Sequence, residues 1–177
     1  MTNQYSFNDF PRRKRGMRLL LPIKGETQFE TLIEYWYSLQ SGTVREAKLL
    51  HVVIDEVLKT TPFSSIEALT NLHKRDIKIK AADAALTKLC RDLKQILPDV
   101  RISYEIKTGI SVSEEIINDA NEWDADTILL LADKPDFMRS LFQQEVLKQV
   151  LSGAKQSVHI IKPGAQKQPA GLNKLIS

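Results

Sequence analysis

The feature that most limits the fold is a change of apolar period, repeated along the chain. Asp126 to Ala132 contains Ile128-Leu129-Leu130-Leu131, the most strongly apolar short run. A run of that length without alternation suits a strand buried on both faces. Met17 to Ile23, Ala47 to Ile54 and Val158 to Ile161 read as further strands, and Val100 to Lys107 alternates as one. Between these runs the apolar residues recur at helical spacing. A Thr27–Glu30 capping box precedes Phe29, Leu32, Ile33, Trp36 and Leu39, and Gly42 stops that pattern. A stripe through Ala82, Ala85, Leu86, Leu89, Cys90, Leu93, Ile96 and Leu97 ends at Pro98. Ser111-Val112-Ser113-Glu114 caps a third helix bearing Ile116, Ile117, Ala120 and Trp123. A fourth carries Leu141, Phe142, Val146, Leu147, Val150 and Leu151, and Gly153 stops it.

Five strands alternating with amphipathic helices predict an α/β domain. Its parallel sheet would carry helices on both faces. The stretch 55–78 is the least regular. Ser64-Ser65-Ile66-Glu67 predicts a short helix with Leu69 and Leu72, and His73 to Asp76 a solvated turn. In such sheets ligands bind at the carboxyl ends of the strands, where strand order reverses. That edge would be built from Lys24-Gly25-Glu26, the start of 55–78, Thr108-Gly109 and Asp133-Lys134-Pro135. Lys24, Gly25, Asp133 and Lys134 are therefore the candidate crevice residues, two lysines that suit an anion.

Charge locates the ends of the domain. The net charge is +3, yet six of the 25 basic residues lie in the tails, against one of the 22 acidic ones. Residues 18–162 thus carry 19 basic and 21 acidic side chains. The body is not a nucleic-acid surface by charge. Residues 1–16 hold the run Arg12-Arg13-Lys14-Arg15 and are expected to form a disordered basic arm, available to an acidic partner or RNA. The domain spans 17–163, and 164–177, with Pro169 and Gly171, is expected to be a flexible tail. No apolar stretch is long enough for a membrane span, and Met1 to Phe10 lacks a signal-peptide core. The lone Cys90 cannot form an internal disulfide and sits on a core stripe, so a reducing, cytoplasmic location is expected.

Other chemistry finds little support. No G-x-S-x-G elbow, G-x-G-x-x-G loop or Walker loop occurs. His51, His73 and His159 lack the spacing of a zinc site, so no metal and no catalytic residue is assigned.

Three stretches resemble the universal stress protein family over about residues 17–163. Arg18-Leu19-Leu20-Leu21-Pro22-Ile23-Lys24-Gly25-Glu26 looks like its opening strand and turn. Leu49-Leu50-His51-Val52-Val53 looks like its second strand, where a His-Val pair is common. Gly109 through Ala125-Asp126-Thr127-Ile128-Leu129-Leu130 to Val158–Ile161 resembles its C-terminal half. The resemblance implies a flavodoxin-like, Rossmann-like five-stranded sheet of order 3-2-1-4-5 and a non-catalytic cytoplasmic regulator. It also implies a homodimer through the last strand, with Val158, His159, Ile160 and Ile161 at the interface. Nucleotide-binding members place an Asp where this chain has Lys24. Their Gly-x2-Gly-x9-Gly-Ser/Thr phosphate loop falls on Leu131, Lys134, Gln144 and Glu145. A Cβ at each glycine position obstructs the approach of backbone amides to phosphate, and Glu145 adds a like charge. The expectation is therefore no cofactor and no ordinary ATP binding. A protein partner is expected. The alternatives are a sensor of a nucleotide or other anion in the altered crevice, and an accessory protein of a transporter or RNA.

Overall fold

The computed structural model describes residues 16–24, 44–56, 65–131 and 137–161, with the backbone alone for 137–144. Five strands, β1 (Met17–Pro22), β2 (Val44–Ile54), β3 (Arg101–Gly109), β4 (Thr127–Leu131) and β5 (Ser157–Ile161), form one sheet. Its order is β3-β2-β1-β4-β5, and every pairing is parallel. Three helices are described: α1 (Ser65–Ile96), α2 (Val112–Glu122) and α3 (Phe137–Gly153). Strand order 3-2-1-4-5 and helices alternating with strands agree with the expectation from the sequence. The helix expected around 27–39, the arm and the tail lie outside the described residues.

Side-chain alternation divides the core into two layers. Leu19, Leu21, Leu49, Ile102 and Leu129 face α1, where they meet Leu86, Cys90 and Leu93. Leu20, Leu50 and Ile128 face the other way, toward Ile116 and Ala120 of α2 and Val150 of α3. The continuous apolar runs are thus explained by burial on both faces. Cys90 is core filler, as expected, with its thiol directed to the Ile102 carbonyl at 3.7 Å.

Register is held at the amino end of the sheet by a row of charges. Arg18, Glu46 and Arg101 stand opposite one another on β1, β2 and β3. Glu46 bridges the two arginines, at 3.5 Å and 3.2 Å. Opposite charges placed directly across strands favour that register. Pro22 shapes the other end. The Ile23 N–H donates to the Leu50 carbonyl on the β2 side, so the donor missing at Pro22 falls on the β4 side. The β1–β4 register accordingly stops at Leu20 opposite Ile128.

The long helix corrects one expectation. Residues 65–96 form a single helix of 32 residues, with no turn at His73–Asp76. The expected short helix and the Ala82–Leu97 stripe are two halves of α1. Only the second half has a buried face, with Ala82, Leu86, Cys90 and Leu93.

Candidate functional site

The carboxyl edge of the sheet gathers polar groups from four elements. Past β1, the Ile23 carbonyl accepts a hydrogen bond from His51 Nδ1 at 2.8 Å, which fixes the neutral ring as its Nδ1–H tautomer. Lys24 follows, exposed, at the position expected for it. Past β2, the Asp55 N–H donates to the Gly109 carbonyl and closes the β2–β3 ladder. The Asp55 side chain is buried and accepts from Arg75 Nη1 of α1 at 2.8 Å. That hydrogen bond holds the Arg75 guanidinium further above its ordinary range. Arg75 therefore clips the helix to the end of the sheet.

Gly109 ends β3, close to the first turn of α2. A Cβ there would overlap the carboxyl group of Glu115 in the first turn of α2. The N-cap half of the expected capping box forms: Ser111 Oγ accepts the Glu114 N–H at 3.4 Å. Ser113 Oγ donates to Gln149 Oε1 of α3, and Gln149 Nε2 donates to Glu145 Oε1 at 3.4 Å. The amino end of α2 thus has two glutamates in its first turn and is tied to a third on α3. Negative charge there competes with any anion drawn to the helix end.

Lys24 and Gly109 lie at this edge. Gly25, Asp133 and Lys134 lie outside the described residues. Of the four positions aligned with the phosphate loop, Leu131 ends β4 and Glu145 is exposed on α3. Among the described residues, no group of three or more His, Cys, Asp or Glu could hold a metal ion. Among the described residues, no helix is long and apolar enough to cross a membrane.

A second polar cluster, not foreseen from the sequence, lies between the sheet and α2. Asp119 is 1% exposed, and its Oδ1 accepts from Lys48 Nζ at 2.8 Å and from Lys107 Nζ at 3.1 Å. Lys48 also reaches Glu105 at 2.7 Å, and Lys107 reaches Glu122 at 2.7 Å. Burial acts to lower the Lys107 pKa, but its bonds to Glu122 and Asp119 outweigh that and raise it above the ordinary lysine range. Asp119 Oδ2 is buried with no hydrogen-bond partner. Trp123 lies alongside, with Arg18 Cζ 4.6 Å and Lys48 Nζ 5.4 Å from its ring centre. The signal was present in the spacing. Asp119 falls among Ile116, Ala120 and Trp123 on the inward face of α2, and Lys48 shares a strand face with Leu50.

With this geometry in place, solved structures give the comparison. Universal stress protein UspA from Lactobacillus plantarum superposes with a TM-score of 0.63 at 17% identity, over 83% of this chain and 98% of its own. The hypothetical protein MJ0577 gives 0.61 at 18%, over 86% and 97%. A universal stress protein family protein from Burkholderia pseudomallei gives 0.53 at 16%, over 85% and 98%. At these identities the shared property is the fold. No family model and no curated protein matches the sequence.

Proposed function

We propose that this chain, which has the fold of universal stress proteins, is a regulatory interaction module. It pairs with a second copy through β5 and contacts a protein partner, without catalysis and without nucleotide in the usual crevice. The observation that carries this reading is the edge strand. Among the described strands β5 pairs only with β4, Ile160 is 39% exposed, and Ser157 to Ile161 holds no acidic, lysine or arginine side chain. An uncharged apolar edge invites strand pairing, and a two-fold axis lets one strand satisfy both partners. The crevice supports the second half of the proposal. Asp55 is engaged by Arg75, and Glu115 packs against Gly109. Lys24 stands where nucleotide-binding members carry an Asp.

Two measurements on the purified chain test this. Light scattering at tens of micromolar should give at least twice the chain mass of 20.1 kDa. A monomer would refute the pairing. Calorimetric titration with Mg-ATP should be flat in the same range. A dissociation constant near 1 µM, about 8 kcal/mol of binding, would refute the altered crevice.

A further inference from the structure

The outer side of β5 can be followed bond by bond. In a parallel sheet a residue sends its N–H and its carbonyl to the same neighbouring strand, and the next residue sends both to the other side. The Ser157 N–H donates to the carbonyl of Asp126, just before β4. Ser157, His159 and Ile161 therefore bond toward β4, and Val158 and Ile160 turn their backbone groups outward. α3 flanks the same end of the sheet. Its Val150 faces the core layer that holds Ile128 and Val158. Gln149, about 100° to one side of Val150, holds Ser113 of α2, and Gly153 on that flank lies against Ile117. Leu147 and Leu151 fall about 60° and 100° to the other side, away from α2 and toward the outer side of β5. Leu151 is 49% exposed and Leu147 is half-buried. Ile160 shares the sheet face of Val158, so strand and helix present one apolar strip.

We infer that the second copy at β5 pairs about a two-fold axis at His159, with the two copies of α3 closing a second layer of the contact. This rests on the β5 pairing proposed above and fixes its register. The bonding phase selects the axis. A two-fold antiparallel pair sets outward residues against outward residues. With the axis at His159, Val158 exchanges both bonds with Ile160 of the partner subunit, and every outward backbone group of β5 is used. An axis at Val158 or Ile160 sets that residue against its own copy and sends the other to residue 156 or 162, outside the strand. The helices select the occupant. The axis stands perpendicular to the sheet, so both copies of α3 lie on one face and run antiparallel. Each covers the β4–β5 side, which places the two about two strand spacings apart, roughly 10 Å, the distance of packed helices. Leu147 and Leu151 fill that seam, and the opposed helix dipoles favour it. A single added strand would cover Val158 and Ile160 but leave Leu151 in water.

Cysteine cross-linking of the full chain reads the axis. His159→Cys should give a covalent dimer when oxidised with copper phenanthroline, because residue 159 stands opposite its own copy with Cα atoms about 4.5 Å apart. Ser157→Cys should not, since its two copies lie about 13 Å apart along the strands. Cys90 is buried and serves as an internal blank. Leu151→Glu should raise the dimer dissociation constant about tenfold or more in light scattering, because it places a charge in the seam. Leu69→Glu, on α1, should leave it unchanged. All four positions are exposed in the single chain, so the variants keep their fold. A dimer in which residue 159 cross-links no better than residue 157 overturns the axis and leaves the β5 pairing standing. Equal responses to Leu151→Glu and Leu69→Glu overturn the helical layer. A monomeric native chain overturns the pairing and the inference together. So does a dimer that forms only after removal of residues 164–177, which would mean that the tail covers this end.

Discussion

Single residues carry more than their share of this fold's polar chemistry. Asp124 follows the Trp123 cap of α2 with a φ of 53°, and the Ala125 N–H bonds back to the Ala120 carbonyl. That is a Schellman termination with aspartate where glycine is usual. A residue with a Cβ is strained there, so Asp124→Gly should raise the free energy of unfolding by about 0.5–1 kcal/mol in urea melts. The ion pair it removes, to Arg18 at 3.9 Å, is solvent-exposed and offsets little. Asp119 has the reverse sign. Asp119→Ala leaves Lys48 and Lys107 without their shared buried acceptor and should cost about 3 kcal/mol. Adding Lys48→Met should recover part of that loss. Lys107 gives the network a pH signature. Its raised folded-state pKa stabilises fully below the unfolded-chain value near 10.4, and the gain is lost as pH rises through the folded value. Stability should therefore fall more steeply above about pH 10.4 in the native chain than in Lys107→Met.

Among the elements, α1 is the one whose behaviour varies along its length. Its second half packs on β2 and β3 through four buried residues, and its first half has the Arg75–Asp55 clip. Amide exchange should be fast over 65–78, slower over 82–96 and slowest in β4. Equal protection across α1 would show that the first half is as firmly held as the second. The same helix shows what sequence reading reaches. Strand and helix identities were legible because burial on both sides leaves an unmixed apolar run, and burial on one side leaves a 3.6-residue stripe. The first half of α1 has neither, because its inward positions stop finding a sheet to cover. Ile66, Leu69 and Ile77 instead mark the outside, and the sequence reads as irregular. Asp119 and Lys48 were hidden for another reason. Each is a charge at an inward position, and pairing between β2 and α2 across 71 residues satisfies them, which no local pattern reports. The carboxyl edge of the sheet was legible in position, since strand ends are set by topology. The Arg75–Asp55 pair was not, because it depends on α1 running past the sheet.

At the scale of the molecule, the two ends of the described sheet differ: β5 is its last strand on one side, and α1 lies over β2 and β3 on the other. The strand order also has a consequence during synthesis. β1 is central, yet it leaves the ribosome before the other four strands of the sheet. Its β2 side can pair once residue 54 has emerged, but its β4 side must wait for residue 127, over a hundred residues after β1 itself. At about 5–20 residues per second that wait lasts roughly 5–20 s. For that interval Leu19-Leu20-Leu21 offers an open, apolar edge to any neighbouring nascent chain, guarded only by Arg18 and Pro22. Chains stalled with residue 115 at the tunnel exit should sediment with aggregates or with chaperones, whereas chains stalled after residue 161 has cleared should be soluble and resist protease. The newborn protein is therefore most exposed to misassembly at its own centre, and the cell's demand for holding factors should peak before the fourth strand arrives.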